Sequence, residues 1–396
     1  MTARPHPTPR RTATVEADTT RVLIVDDSVV ARAVIARLID ASDRFSVVGA
    51  VGNVAAALEF LARASVDFIL LDIEMPGVDG LTALPDLIAA GGSAKVIIVS
   101  SSADDGGATT VQALAIGAAA TIVKPSASEL SARFGAALVA KLEKLCEHPE
   151  RLSPALVVRS SAPQPIAAQP IAAQPIAAQP IAAQPIAPQP RVASPAPLAR
   201  RPTGDDYDIV AIGASTGGIH ALSRMFRELP SGFRLPIVIT QHLPASFMPY
   251  FAAQMALLSG RVCEVAVDRL RIRPGRIVVA PGDAHLKCVK LSDGGAAFRL
   301  THEAAPSGCM PSVDPMLTSL ADVYGSRVMA IVLSGMGRDG VEGARRVHEA
   351  GGCVVAQDQA TSVVWGMPGA VAAAGVAHAV LSPDAIGRLV ASRRRA

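Results

Sequence analysis

Two doubly wound parallel α/β domains joined by a long Pro/Ala/Gln-rich linker are what this 396-residue sequence predicts. Three observations carry that expectation. Short apolar runs alternate with amphipathic segments on both sides of residues 164–188. That stretch itself runs Gln-Pro-Ile-Ala-Ala four times, then Gln-Pro-Ile-Ala-Pro. Half of the residues are hydrophobic but only 3% are Phe, Trp or Tyr, a composition that suits buried parallel strands under small-residue helices.

Taken in order, residues 1–20 hold Arg, Thr and Pro without the apolar core of a secretory signal, and read as a disordered tail. The first domain, 21–147, opens on the buried strand Arg21–Val25. Val30, Val34 and Leu38 then form an apolar stripe on a helix. A second strand starts at Val47-Val48, and Val54, Leu58 and Leu61 mark a second helix. Phe68–Leu71, Val96–Val99 and Thr121–Val123 supply three more strands, with amphipathic segments near 80–90, 107–116 and 127–146. Such regular βα units imply a parallel sheet covered on both faces.

Proline at every fifth position removes amide donors and blocks helix, and one Ile per repeat offers no face to bury. Residues 148–205 are therefore expected to be a flexible, semi-extended spacer. The second domain, 206–396, carries candidate strands at 208–212, 236–240, 263–267, 276–280, 328–333 and 353–356. Lys287–Leu291 and Ala297–Thr301 flank Ser292-Asp-Gly-Gly295, a hairpin signal and hence an antiparallel excursion from the parallel sheet.

Several function classes lose support at once. A net charge of +3 gives no strong pull toward nucleic acid or membrane, and Arg393–Arg395 read as a solvated helix end. The five cysteines (146, 263, 288, 309, 353) show no CxxC spacing, which points to reduced thiols and not to disulfides or zinc. No apolar stretch reaches the roughly 18 residues that span a bilayer. The expected location is cytoplasmic and the expected state a monomer.

In the first domain the polar residues gather at the carboxyl ends of the strands, the ligand edge of an open α/β sheet. Asp26 and Asp27 end the first strand, Asp72 the third, Ser100 the fourth, and Lys124, followed by Pro125, the fifth. Three carboxylates repel unless a hard cation such as Mg²⁺ sits among them. A lysine and a hydroxyl opposite would complete a cage for a phosphoryl group. Val25-Asp26-Asp27-Ser28, Leu71-Asp72-Ile73-Glu74-Met75-Pro76-Gly77, Ser100 and Lys124-Pro125 resemble the motifs of response-regulator receiver domains, whose fold is flavodoxin-like. The resemblance implies that Asp72 is the phospho-acceptor. Asp26, Asp27, Asp72 and the carbonyl of Glu74 would hold Mg²⁺, with Ser100 and Lys124 on the phosphoryl group. Thr121 stands where the family carries a rotating aromatic, which puts an aromatic switch at that position in doubt.

The second domain opens on Gly213-Ala-Ser215-Thr-Gly217-Gly218, after the apolar run 209–212. A glycine-rich turn before a helix can cradle a dinucleotide's phosphates or raise a nucleophilic serine. A dinucleotide site needs an acidic residue at the end of the next strand, whereas that strand ends in Gln241-His242. A serine nucleophile with a histidine base is the better reading. Asp339, in Ser334-Gly-Met-Gly-Arg-Asp-Gly340, follows the apolar strand 328–333 and can orient the base, while glycines beside Met336 let amides approach an oxyanion. His285 rivals His242, Asp358 rivals Asp339, and Ser334 is a second hydroxyl after a strand. His302 reads as a surface histidine, and Thr216 as a helix cap or a pocket-lining residue. The order Ser…His…Asp departs from that of the α/β-hydrolases.

Residues 207–391 resemble the catalytic domain of chemotaxis methylesterases of the CheB type, with a Rossmann-like sheet. The match lies in Ile212–Gly218, Thr240-Gln-His242, Ala280-Pro-Gly-Asp283, Pro311-Ser-Val-Asp314, Gly335–Gly340 and Val364-Trp-Gly-Met-Pro368. The resemblance implies a Ser215–His242–Asp339 triad, the Met336 amide as oxyanion donor, and no cofactor in this domain. Arg338 and Trp365 carry no inherited role. It also implies demethylation of methylglutamate and deamidation of glutamine on chemoreceptor cytoplasmic domains, with a chemotaxis histidine kinase as phosphodonor and a receiver that covers the active site until phosphorylated. The competing readings are a phosphorylation-controlled binding module without turnover and a nucleotide-dependent oxidoreductase.

Overall fold

The computed structural model describes residues 19–100, 107–124, 132–146 and 207–392. Residues 1–18 of the expected N-terminal tail, the Gln-Pro-Ile-Ala-Ala linker, Pro125 and Arg393–Arg395 lie outside the described residues, while Thr20, expected in the tail, already belongs to the first strand.

The first sheet holds β1 (Thr20–Val25), β2 (Phe45–Val51), β3 (Phe68–Asp72), β4 (Lys95–Ser100) and β5 (Ala120–Val123). All are parallel, in the order β2-β1-β3-β4-β5, the flavodoxin-like arrangement. Period-2 alternation sends Leu23 and Val25 into one apolar layer and Val22 and Ile24 into the other. The covering helices are α1 (Val29–Asp40), α2 (Val54–Leu61), α3 (Gly80–Gly91), α4 (Gly107–Ile116) and α5 (Ala132–Cys146). On α1 the expected stripe is displaced by one residue. Ala31, Ile35 and Ile39 face the core, Val34 and Leu38 are half-buried, and Val30 is 67% exposed. Two apolar stripes lie side by side on this helix. The N-cap, where Ser28 Oγ accepts from Ala31 N, together with packing against the sheet, selects the second.

The second sheet holds β6 (Ile209–Ala214), β7 (Ile237–Gln241), β8 (Cys263–Val265), β9 (Ile277–Val279), β12 (Val328–Val332), β13 (Cys353–Gln357) and β14 (Ala379–Leu381). Its order is β14-β13-β12-β6-β7-β9-β8, with every pairing parallel. β14 was not expected from sequence. The hairpin forms, as β10 (His285–Lys290) and β11 (Ala296–Thr301), but as a separate two-stranded sheet and not as part of the large one. Residues 268–272 run beside β11, with Arg269 N on the Phe298 carbonyl at 2.8 Å and Phe298 N on the Leu270 carbonyl at 2.9 Å, while Cys288 N of β10 donates to Ser319 Oγ at 2.8 Å. The strand order reverses between β6 and β12, so a crevice opens at their carboxyl ends.

The flanking helices are α6 (Gly218–Arg227), α7 (Met248–Ser259), α8 (Val313–Tyr324), α9 (Val341–Glu349), α10 (Met367–Ala373) and α11 (Pro383–Ser392). Both sheets belong to one compact unit. α4 of the first domain packs on α6 and α7, and Val111 and Ala115 enter the apolar cluster of the second domain. In return Val364 joins the first domain's core, with Val363 and Met336 packed against it.

Candidate active site and phosphorylation site

Ser215 follows the tip of β6, where Ser215 N donates to the Ser334 carbonyl at 3.0 Å and Gln241 Nε2 donates to the Ser215 carbonyl at 2.9 Å. The tips of β6, β7 and β12 thus share one turn. The backbone crosses itself closely here. A Cβ on Gly335 would lie 2.8 Å from Ser215 Cβ and 2.4 Å from Met367 Sδ. Gly217 caps α6 at φ +78, where other residues are strained.

His242, directly after β7, is half-buried, and its Nε2 lies 2.8 Å from Asp339 Oδ2. Asp339 is 2% exposed, so its charge must be met from inside the protein. Four donors do so. Besides His242, Ser312 Oγ donates to Oδ1 at 2.7 Å, Val313 N to Oδ2 at 2.8 Å and Asp314 N to Oδ1 at 3.3 Å. The last three come from the start of α8, whose free amides favour an anion. Burial raises the Asp339 carboxyl, but His242, Ser312 and the Val313 amide outweigh it and hold it below the usual carboxylate range. Asp314 moves the other way. Burial and the charge of Asp339 push its carboxyl up against the pull of the Gly343 amide.

Ser215, half-buried, lies at the crevice mouth, and among the described residues its hydroxyl has no hydrogen bond. Met336 is half-buried between Gly335 and Gly337. The rival residues have other occupations. His285 is 1% exposed, receives the Ser312 amide on Nδ1 at 2.9 Å and reaches the Glu303 carbonyl from Nε2 at 2.7 Å. It holds the turn that presents Ser312. Asp358 Oδ1 takes the amide and hydroxyl of Thr361, closing its own loop. Ser334 is fully buried and its Oγ donates to the Thr216 carbonyl at 2.7 Å. His302 is exposed, with Nδ1 on the Asp283 carbonyl.

Two residues of this site were not singled out from sequence. Ser312 sits one position before α8 and lies in the Pro311–Asp314 motif, the only sequence signal pointing to it. Cys309 is half-buried, with Sγ near both His242 and Asp339. Burial and the charge of Asp339 push its thiol up.

At the first sheet's carboxyl edge, Lys124 Nζ bonds Asp26 Oδ2 at 2.6 Å and Asp72 Oδ2 at 3.0 Å. Asp26 and Asp72 are buried and Asp27 is exposed, with carboxylate oxygens of all three within 4.8 Å of one another. This all-oxygen set fits a hard divalent cation. Burial raises the Asp72 carboxyl despite Lys124, while the two carboxylates raise the Lys124 ammonium against the cost of its burial. The Glu74 amide donates to Asp72 Oδ1 at 3.3 Å, and Ser100 is buried at the end of β4. Thr121 is half-buried, and its carbonyl receives Lys141 Nζ at 2.5 Å.

Fold and sites together define a response regulator whose effector is a hydrolase built on a parallel, doubly wound sheet. The receiver-domain family matches residues 22–134, and the CheB methylesterase family matches 210–390. A protein-glutamate methylesterase/protein-glutamine glutaminase of Paramagnetospirillum magneticum is 41% identical over 92% of this chain and 93% of its own. One from a group 2 operon of Rhodospirillum centenum is 40% identical over 96% of both. The crystal structure of the Thermotoga maritima CheB methylesterase catalytic domain shares 37% identity over 47% of this chain and 98% of its own, with TM-score 0.45. The chain belongs to the CheB-type protein-glutamate methylesterase/protein-glutamine glutaminase family.

Proposed function

We propose that this protein hydrolyses methylglutamate esters, and deamidates glutamines, on the cytoplasmic helices of chemoreceptors under control of phosphorylation at Asp72. The observation that carries the reading is the 2.8 Å bond from His242 to a buried, four-fold-bonded Asp339, beside a serine on the adjoining strand tip. With Nε2 donating to Asp339, Nδ1 of His242 is left to take the proton of Ser215. The Ser215 oxygen then attacks the side-chain acyl carbon and the charge develops on the carbonyl oxygen, toward the Met336 amide. The proton on Nδ1 passes to the leaving group, which departs as methanol from an ester or ammonia from an amide. Water, deprotonated by the same nitrogen, attacks the acyl-enzyme, and that proton returns to the Ser215 oxygen as the ester bond breaks and glutamate is released. Asp339 stays ionised throughout and stabilises the imidazolium.

In the receiver, Asp26, Asp27, Asp72 and the Glu74 carbonyl would hold Mg²⁺, which when bound offsets the charge of the carboxylates and of the phosphoryl oxygens. Lys124 keeps Asp72 oriented, and Ser100 and Lys124 receive the phosphoryl group. A chemotaxis histidine kinase is the expected donor. The protein acts in the cytoplasm as a monomer, and no helix among the described residues is long and apolar enough to cross a membrane.

The test is methanol release from a methylated receptor fragment by the phosphorylated protein. Ser215→Ala should lower the rate on the order of 10⁴- to 10⁶-fold. Turnover within tenfold of wild type would remove Ser215 from the mechanism.

A further inference from the structure

We infer that His242, Cys309 and Asp339 form an inhibitory site for a zinc-type transition-metal cation. One ring nitrogen of His242, Sγ of Cys309 and a carboxylate oxygen of Asp339 all lie within 4.8 Å of one another. Imidazole, thiolate and carboxylate are the ligand types Zn²⁺ prefers, and three protein ligands with an open fourth position make a coordination shell it commonly takes. The thiol excludes Mg²⁺, a hard cation, from the same place. Cys309 and His242 are half-buried, so the approach lies on the solvent side, with Asp339 at the floor.

The movement required between histidine and carboxylate is small. His242 Nε2 and Asp339 Oδ2 are 2.8 Å apart. Bonds of about 2.0–2.1 Å to a tetrahedral metal need about 3.3 Å between such ligands. Ser312 Oγ and the Val313 and Asp314 amides stay on Asp339 and fix the carboxylate's orientation, as outer-shell partners do in metal sites.

The proton balance explains why the bound metal inhibits. In the free enzyme Nε2 carries the imidazole proton toward Asp339, and Nδ1 holds the lone pair for Ser215. A metal on Nε2 shifts that proton to Nδ1. Cys309 releases its thiol proton to solvent, so one proton leaves per metal bound and no electron moves. His242 is then neutral but protonated on the nitrogen that must act as base, and Ser215 cannot be deprotonated.

The experiment titrates the full-length protein with Zn²⁺ at constant Mg²⁺, reading binding by competition with a chromogenic zinc chelator and reading methanol release in parallel. Cys309→Ala and Cys309→Ser are compared with wild type. Wild type should bind one zinc that the variants bind more than tenfold more weakly, a loss that even outer-shell changes can cause. Inhibition should weaken by the same factor, and Cd²⁺ should give a thiolate charge-transfer absorption that both variants lack. Equal zinc affinity in wild type and variants, or inhibition unaffected by Cys309, overturns the inference. The binding arms do not depend on turnover. Cys309-dependent binding with no methanol release from any form would keep the metal site and defeat the esterase reading on which the inhibition rests.

Discussion

Asp314 and Asp339 are neighbouring carboxyls that the same helix start treats oppositely. Asp339 takes the hydroxyl and amide donors and stays ionised, and its charge then raises Asp314. A carboxyl raised in the folded state is a stability cost at neutral pH, because the unfolded chain ionises it more freely. The cost is fully present above the folded pKa and disappears as pH falls below the unfolded value near 3.9. Asp314→Asn keeps an oxygen for the Gly343 amide, which now donates to Asp314 Oδ1 at 2.8 Å. It should therefore stabilise the protein at pH 8 by on the order of 1–2 kcal/mol, less than the full worth of a carboxyl raised to about 6 because the group is partly exposed to solvent, and by far less at pH 4. Denaturant unfolding at the two pH values measures this. A gain that is equal at both would locate the effect elsewhere. Gly335→Ala is a steric counterpart, because its new methyl would overlap Ser215 and Met367. Displacing the Ser215 oxygen by about 1 Å should cost on the order of 10²-fold in kcat. An unchanged kcat would show that the turn has slack the packing does not suggest.

The first turn of α8 does for Asp339 what a metal or a cluster of arginines does in other sites, using a hydroxyl and two amides. Ser312→Ala removes one donor from a buried anion, a change of roughly 1.5–3 kcal/mol for a hydrogen bond to a charged group. Thermal unfolding should reveal that loss, and the acid limb of kcat/KM should move to higher pH as the Asp339 carboxyl rises. Lost stability with a fixed acid limb would mean Ser312 braces the fold without tuning the carboxylate. The sequence made part of this element legible. The strand ends of the βα rhythm placed Ser215, His242 and Asp339 at one edge, because chain direction and sheet parallelism alone dictate which residues follow a strand. It did not reveal that α8 aims its amides at Asp339, since that depends on how the segment after the hairpin returns over the sheet. His285 looked like a rival base for the same reason: a histidine after a strand reads alike whether it faces solvent or, as here, is sealed between Ser312 and Glu303. On α1 the sequence offered two adjacent apolar stripes, and hydrophobicity could not choose between them. β14 escaped because three residues of Ala379-Val-Leu381, partly exposed at a sheet edge, carry almost no periodic signal.

At the scale of the whole molecule, a receiver that inhibits by contact must hold its effector strongly enough to suppress the basal rate and weakly enough for one phosphoryl group to release it. Because receiver and effector share one chain, docking is intramolecular and needs only a modest intrinsic affinity. The face that supplies it is apolar. Val111 and Ala115 of α4 are buried among the effector's side chains, His220 Nδ1 reaches the Ala115 carbonyl at 3.1 Å, and Val363, Val364 and Met336 pack into the receiver. Val364 and Met336 flank Gly335, so the docked receiver rests on the loops that frame Ser215. Placing a charge at the centre of this contact should undo it, since an unpaired buried carboxylate costs several kcal/mol and each 1.4 kcal/mol is tenfold in an equilibrium. Full-length Val111→Asp should therefore release methanol faster than wild type without any phosphodonor, and gain little when one is added. Asp72→Asn should keep the low basal rate and lose the response to a small-molecule phosphodonor. The double variant decides between release and recruitment as the function of the phosphoryl group. If phosphorylation acts by lifting α4 from the effector, Asp72→Asn/Val111→Asp will run at the high rate of Val111→Asp alone. If the receiver instead gathers the enzyme to its substrate, the double variant will stay at the low rate of Asp72→Asn.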